Sequence, residues 1–237
     1  PLDGREFDVV IIGGGVIGCA AARELSRHDI RIALFEKEED LAVHSTGRND
    51  GMIHPGLAAK PGSRKAHYNI RGNRLYTRLA EELGIPFFRP GSMILFKGRF
   101  SRFLVPILTN RARKNGVDGW RVLSRKEVAR REPYLERHQY GAFLLESTGV
   151  LSPYNLTVAL AENAAQNSAE IFLSTGVSGF VMDGGRIAAV ETTRGRVSAK
   201  VVINAAGIWA DTVAGFADDR FFSIHGRHGV DCILDKR

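Results

Sequence analysis

Three glycines at fixed spacing set the first chemical expectation. Gly13-Gly14-Gly15-Val16-Ile17-Gly18 has the form G-x-G-x-x-G, and an acid, Glu36, follows eighteen residues after its last glycine. In a loop of this kind the first glycine allows a tight turn, the second lets backbone approach a pyrophosphate, and the third lets a helix lie close to a strand. The helix that opens there offers N–H groups and a positive dipole end to the ligand. A carboxylate at the position of Glu36 can accept hydrogen bonds from a ribose. The expected ligand is therefore a dinucleotide, and the fingerprint does not separate NAD from FAD.

Such a loop works only if a strand and a helix hold it. Asp8-Val9-Val10-Ile11-Ile12 is a short continuous apolar run, the pattern of a strand buried on both faces. A helix is expected over 16–27, with Ala20, Ala21 and Leu25 toward the sheet, and a second strand over 30–35, which completes a right-handed βαβ unit. Beyond it, helices are expected at 63–83 (stopped by Gly84), 103–115, 124–132 (capped by Ser124, ended by Pro133) and 153–167. Strands are expected at 88–96, 141–145, 170–173, 176–182, 187–192 and 197–202, with Asp183-Gly184-Gly185 a hairpin signal. The sequence has no internal repeat and no low-complexity linker.

Composition sets the frame. At 237 residues the chain can bury a sizeable core, and its balance is that of a globular α/β protein. No run approaches the roughly 18–20 apolar residues of a membrane span, and the apolar start lacks the flanks of a signal peptide, so a cytoplasmic protein is expected. Cys19 and Cys232 have no paired spacing for zinc, an iron–sulfur cluster or a redox dithiol; no metal site is expected, and both read as small buried side chains. The net charge of +7 raises nucleic acid, but no recognition motif accompanies it and the basic residues fall on several expected helices, so no nucleic-acid partner is expected. A solvated surface is the plain reading of the charge, with an anionic substrate, an acidic membrane surface or an acidic partner as the alternatives.

Two further stretches separate the cofactors: His44-Ser45-Thr46-Gly47-Arg48-Asn49-Asp50-Gly51-Met52-Ile53-His54-Pro55-Gly56 and Ile203-Asn204-Ala205-Ala206-Gly207-Ile208-Trp209-Ala210-Asp211. These resemble the flavoprotein oxidoreductases of the D-amino-acid oxidase and glycerol-3-phosphate dehydrogenase superfamily. Lys60-Pro61-Gly62-Ser63, Gly91-Ser92-Met93-Ile94-Leu95, Gly149-Val150-Leu151-Ser152-Pro153-Tyr154 and Phe221-Phe222-Ser223-Ile224-His225 look most like the anaerobic-type, FAD-dependent glycerol-3-phosphate dehydrogenases. L-2-hydroxyglutarate dehydrogenases share the first loop in a similar form. The resemblance implies FAD and a Rossmann-like (GR2-type) α/β domain interleaved with an α+β substrate domain. It divides the chain into 1–84 (FAD-binding), 85–152 (substrate), 153–220 (FAD-binding) and 221–237 (start of a return into the substrate domain). It also implies cofactor roles for Gly13, Gly15, Val16, Ile17, Gly18, Glu36, Lys37, Ser45, Thr46, Asn49, Asp50, Gly51 and Met52. Val177 would face the adenine through its backbone, and Gly207 would end a strand beside the pyrophosphate.

The reaction the resemblance implies is hydride transfer from a secondary alcohol carbon to flavin N5, with a base taking the hydroxyl proton. His54 is the first candidate near the ring, as base, as substrate hydrogen-bond partner, as a covalent attachment point, or as a structural histidine bonding a loop carbonyl. Arg48 can bind an anionic substrate or fix its loop by bonding carbonyls. Lys60, Arg64 and Arg89 are candidates for a phosphate, against the plainer reading of solvated charge. His225 stands beside Arg227 on an expected strand.

Relatives commonly carry proline and a second basic residue where this chain has Gly226-Arg227-His228-Gly229, and the family continues past the position of Arg237. The expectation is thus an N-terminal portion whose C-terminal remainder completes the substrate domain and the flavin site. Three functions follow: oxidation of glycerol 3-phosphate to dihydroxyacetone phosphate with electrons passed to quinone or another redox partner; a related 2-hydroxy-acid or amino-acid oxidoreductase; or a non-catalytic flavin-binding fragment or subunit. The implied locations are the cytoplasm and, peripherally, the inner face of the membrane.

Overall fold

The computed structural model describes residues 2–135, 140–227, 229–230 and 232. In chain order its first elements are β1 (Arg5–Ile12), α1 (Val16–Leu25), β2 (Ile32–Phe35), β3 (Met52–Ile53), α2 (Arg64–Leu83), β4 (Phe87–Phe88) and β5 (Ser92–Leu95). A 3-10 turn (Arg99–Leu104), α3 (Val105–Asn115), β6 (Trp120–Leu123), α4 (Arg125–Arg131), β7 (Ala142–Leu145) and β8 (Gly149–Leu151) follow. The last are α5 (Pro153–Gln166), β9 (Glu170–Phe172), β10 (Val177–Asp183), β11 (Arg186–Thr192), β12 (Gly195–Asn204), a 3-10 turn (Gly207–Trp209) and α6 (Ala210–Gly215). Two compact units result: Pro1–Asp50 with Pro153–Arg237, and Gly51–Ser152.

The first unit is a six-stranded sheet in the order β10-β11-β12-β1-β2-β9. Its β12, β1, β2 and β9 run parallel, with Val10 facing Val202 on one side and Ala33 on the other. A parallel sheet covered on both faces needs strands that are apolar throughout, and Val9 to Ile12 and Ile32 to Phe35 are all buried. Val10, Ile12, Ala33, Phe35, Val190, Val197 and Val213 share one core. β10, β11 and β12 form an antiparallel meander that extends the sheet. α1 packs on α5, where Arg23 Nε donates to Asn163 Oδ1 (2.9 Å).

The second unit holds two three-stranded antiparallel sheets, β3-β8-β4 and β5-β7-β6. In the latter, Phe143 lies opposite Ile94 and Val122 and stacks on Trp120 (centroids 5.4 Å apart). The single strand expected over 88–96 is broken in two. Pro90 cannot donate to a ladder and Gly91 sits at φ +77°, so the backbone turns between β4 and β5. α2 begins where Ser63 Oγ accepts the Ala66 N–H and ends at Gly84, φ +64°.

The units divide at Asp50/Gly51, well before residue 84, where the sequence reading put the first boundary. The reason is α2: Ile70 joins Leu57, Phe96 and Phe143 in the second core, and Asn73 donates to carbonyls within that unit. A second difference lies at the end of the chain. The described residues from 221 to 227 form no strand, so His225 is not on one, and this stretch groups with the first unit, where Asp211 Oδ2 accepts the Ile224 N–H (3.2 Å). His228 and residues 231 and 233–237 lie outside the described residues.

Candidate functional site

At the C-terminal end of β1 the chain turns sharply. Gly13 lies at φ +111°, and its N–H donates to Phe35 O (2.8 Å), which ties the turn to β2. A Cβ on Gly13 would stand 2.5 Å from Ala205 O, and one on Gly18 only 2.0 Å from Gly13 O. The protein's own packing therefore demands these two glycines. Gly15 precedes α1 with extended backbone and, as a glycine, brings no side chain to cap the helix. Helix starts leave N–H groups without helical partners, and a start whose N-cap residue has no side chain leaves room for a phosphate. Thr46 Oγ1 accepts the Val16 N–H (3.2 Å) and draws the 42–47 loop over this turn.

Glu36, buried at the end of β2, braces that arrangement. Its Oε2 accepts the Gly14 N–H (2.6 Å) and its Oε1 the Glu38 N–H (3.0 Å). Each carboxylate oxygen keeps a second lone pair, so the acid can still serve a ribose hydroxyl. Behind the loop, Cys19 is fully buried, and burial, with the nearby Glu36 charge, pushes its thiol up to about 12.

Between these parts lies a cavity of about 250 Å³, lined wholly by the first unit. Of the residues expected at a cofactor, Gly13, Gly15, Val16, Ile17, Glu36, Lys37, Ser45, Thr46, Val177 and Gly207 line it. Gly18 and Asn49 do not; Asn49 instead donates Nδ2 to Ser45 O and Thr46 O, and Asp50 follows in the same unit. Gly51, Met52 and His54 belong to the second unit, with Met52 paired to Val150. Arg48 Nε donates to Val43 O (2.8 Å).

Beside the expected Lys37, sequence reasoning did not single out His44 and Trp209, which also line the cavity. Lys37 Nζ stands 3.4 Å above the Trp209 ring, and His44 meets the same ring edge-on at 4.5 Å. His44 Nε2 lies 2.8 Å from Glu38 Oε1, a contact that holds the Glu38 carboxyl below its ordinary range, with Lys37 adding to the effect. Ile12, Phe35, Val43, Ile208, Val213 and Phe216 supply apolar wall. The only signal was position, since His44 and Trp209 sit inside the two quoted stretches. A wider depression of about 750 Å³ lies along the β10–β12 meander. Its Arg196 pairs with Glu191 (2.8 Å) and its Arg5 with Glu170 (2.6 Å), so its charges are already answered, and the groups with chemistry gather in the smaller cavity.

In the second unit a buried Asn73 organises the backbone around His54. Its Nδ2 donates to the carbonyls of Ile53, His54 (3.0 Å) and Ser147 (2.9 Å). Arg89 NH1 donates to Asn73 Oδ1 and its NH2 to Asn73 O (2.7 Å) and Thr77 Oγ1. Arg89, though exposed, has its donors engaged: it clamps α2 to the end of β4. The His54 side chain is exposed.

Comparison with known proteins adds the family. Residues 8–231 match the FAD dependent oxidoreductase family. The glycerol 3-phosphate dehydrogenase of Caloramator mitchellensis is 37% identical over 97% of this chain and 48% of its own length. The L-2-hydroxyglutarate dehydrogenase of Indibacter alkaliphilus is 34% identical over 88% of this chain and 52% of its own. The dithionite-reduced L-alpha-glycerophosphate oxidase of Mycoplasma pneumoniae, solved with FAD bound, superposes with a TM-score of 0.83 at 30% identity, over 90% of this chain and 57% of that one. The chain spans about half the length of the curated relatives it matches. With its parallel sheet, its glycine turn and this match over most of its length, the chain belongs to the FAD dependent oxidoreductase family.

Proposed function

We propose that this chain supplies the FAD-binding unit and the first share of the substrate unit of a dehydrogenase that oxidises the secondary alcohol of glycerol 3-phosphate to dihydroxyacetone phosphate. The observation that carries the cofactor reading is the glycine-led start of α1 beside Gly13 and Gly15, closed by Glu36 and opening on an apolar cavity. These residues fit FAD: the turn suits a pyrophosphate, Glu36 a ribose, and the apolar wall with Val177 an adenine. Ser45, Thr46 and Asn49, with Gly51 and Met52 further on, are the proposed partners of the flavin side, and Lys37 and Gly207 of the pyrophosphate side.

When bound, FAD supplies the electron sink that receives a hydride from the alcohol carbon. The protein's share is to orient, to exclude water and to move a proton. A ring nitrogen of His54 is the proposed acceptor of the hydroxyl proton, carried on a backbone that Asn73 fixes. Arg48, with one N–H already on Val43, is the proposed anchor for an anionic group through its remaining donors, alongside Lys60 and Arg64. The proposed electron acceptor is a quinone or a redox partner, consistent with work at a membrane's inner face. Among the described residues no helix is long and apolar enough to cross a membrane. A second substrate, L-2-hydroxyglutarate, is favoured by the relative from Indibacter alkaliphilus.

Steady-state assay of the full-length protein with a dye acceptor decides between them. Turnover of glycerol 3-phosphate is expected. Turnover of L-2-hydroxyglutarate alone would replace the substrate, and a flavin spectrum without turnover of either would leave a binding part with no dehydrogenase activity of this kind.

A further inference from the structure

The segment that leads from His54 to α2 is held by its carbonyls. From α2, Asn73 Nδ2 donates to Ile53 O (3.3 Å) and His54 O (3.0 Å). From α3, Asn115 Nδ2 donates to Gly56 O (2.8 Å) and Ala59 O (2.9 Å), and Arg111 NH2 to Ala58 O (3.0 Å). Ser63 Oγ donates to Lys60 O (2.6 Å). Gly56, at φ +92°, has no room for a side chain, since a Cβ there would stand 2.4 Å from Ile70 Cδ1. Packing and hydrogen bonds together fix the path of this loop.

Where the carbonyls point decides where the N–H groups point. Among the described residues no peptide bond is cis, and across a planar trans peptide each N–H points opposite to the C=O before it. Gly56, Ala58 and Ala59 turn their carbonyls to side chains of α3, so the N–H groups of Leu57, Ala59 and Lys60 point away from those side chains. None of these three N–H groups has a hydrogen-bond partner among the described residues, although Leu57 and Ala59 are only 6% and 7% exposed. Buried N–H groups without partners are rare in folded proteins. The Lys60 side chain is exposed and, among the described residues, in no ion pair. No carboxylate of the neighbouring sequence opposes it: Gly51 to Ala80 holds six Lys and Arg and no Asp or Glu.

We infer that the outer edge of the 57–60 loop is an anion-binding site, which takes a phosphate or carboxylate group on the Leu57, Ala59 and Lys60 N–H groups and the Lys60 ammonium. Successive backbone N–H groups that share a direction bind anions, and a charged acceptor makes each such bond shorter and stronger. A water on these donors would need acceptors for its own hydrogens, and the carbonyls of the same loop face the other way; an anion only accepts. Asn115 and Arg111 are then positioning residues, which hold the carbonyls and so aim the donors. Identifying the bound group with the anionic end of the substrate rests on the glycerol 3-phosphate reading. The site itself does not, because inorganic phosphate probes it without turnover.

The test is calorimetric titration of inorganic phosphate into the full-length holoenzyme, beside steady-state kinetics with glycerol 3-phosphate. Phosphate should bind the parent and inhibit competitively. Lys60→Met should weaken it by about tenfold or more. Lys114→Met, which removes an equal charge from an exposed position on α3, should weaken it by less than about twofold. Asn115→Ala should weaken phosphate and raise KM by about fivefold or more while kcat stays within about twofold, because Asn73 still holds His54. A merely structural role would instead lower kcat and the melting temperature together. In protein carrying isotope-labelled leucine, the Leu57 amide resonance, identified by its absence from Leu57→Ile, should move as phosphate is added. No phosphate binding by the parent, a stationary Leu57 resonance, or equal losses in Lys60→Met and Lys114→Met would overturn the site. An Asn115→Ala protein that binds phosphate like the parent would overturn the aiming of its donors. Phosphate binding that follows the expected pattern without turnover of glycerol 3-phosphate would keep the site and remove the substrate reading.

Discussion

Replacing Gly18 by alanine tests whether the glycine turn is a packed joint or merely a permissive loop. The new Cβ would stand 2.0 Å from the Gly13 carbonyl oxygen and 3.4 Å from Ile11 Cγ2. Atoms of this kind do not approach within 3.0 Å, so the start of α1 must move by at least about 1 Å from the turn. Overpacking of a well-filled joint costs about 1–3 kcal/mol. The same movement draws the helix start away from the pyrophosphate, which at hydrogen-bond scale weakens FAD by about 10- to 100-fold. Gly72→Ala supplies the control, because Gly72 sits inside α2 with nothing within 4 Å of its added Cβ. That change should stabilise by about 0.4–1 kcal/mol and leave flavin affinity unaltered. Urea unfolding of the apoprotein and flavin titration by fluorescence quenching read both quantities. If Gly18→Ala binds FAD within twofold of the parent and unfolds no earlier than Gly72→Ala, the joint does not carry the site.

Three further outcomes are expected. Glu36→Gln leaves one acceptor oxygen for two N–H donors, so either Gly14 or Glu38 faces an NH2 group; a loss of about 1–3 kcal/mol is expected, and an unchanged urea midpoint would refute the brace. The Asp211 carboxyl is held below its ordinary range, first by the Ile224 N–H and then by Arg220, against an opposing cost of burial. A depressed carboxyl stabilises fully above its ordinary value and loses that contribution as pH falls through the folded one. Amide-exchange protection at 220–224 should therefore be level between about pH 7 and 5 and fall only in stronger acid, and Asp211→Asn should lack it throughout. Cys19, buried with its thiol pushed up to about 12, should resist iodoacetamide in the native protein while exposed Cys232 reacts; peptide mass spectrometry that finds Cys19 labelled first would contradict the structure.

The parallel core was legible because a buried strand writes itself as an unbroken apolar run and a tight turn as glycine. β1, α1, β2 and the β10–β12 meander follow that logic, with boundaries moved by a few residues. β3, β4, β6 and β8 were not, since two to four residues cannot display a period. The first unit boundary was missed for a tertiary reason: α2 has the same helical spacing whichever unit receives it, and what decides is Ile70 in one core and Asn73 under three carbonyls. A helical asparagine reads as a solvated residue until its partners are seen. Arg89 misled in the same way, as a surface cation that folding turns into a clamp. The cavity's glycine turn could be read in one dimension, but the Lys37–Trp209–His44 group could not, because it joins residues more than 160 positions apart.

That separation has a consequence during synthesis. β1 pairs with β12 in the register Arg5 to Val197, so the central strand of the sheet lacks one neighbour until nearly the whole of this chain has been made. At about 5–20 residues per second, Val9 to Ile12 wait on the order of 10–40 s with one ladder open. Throughout the wait the nascent chain carries a short apolar edge, the kind of surface on which chains join one another. Residues 51–152, a compact unit continuous in sequence, can close meanwhile. The cavity comes last: its far wall, from Ala205 to Phe216, is the final part of its lining to be translated, so FAD cannot speed the early steps and can only lock a sheet already closed.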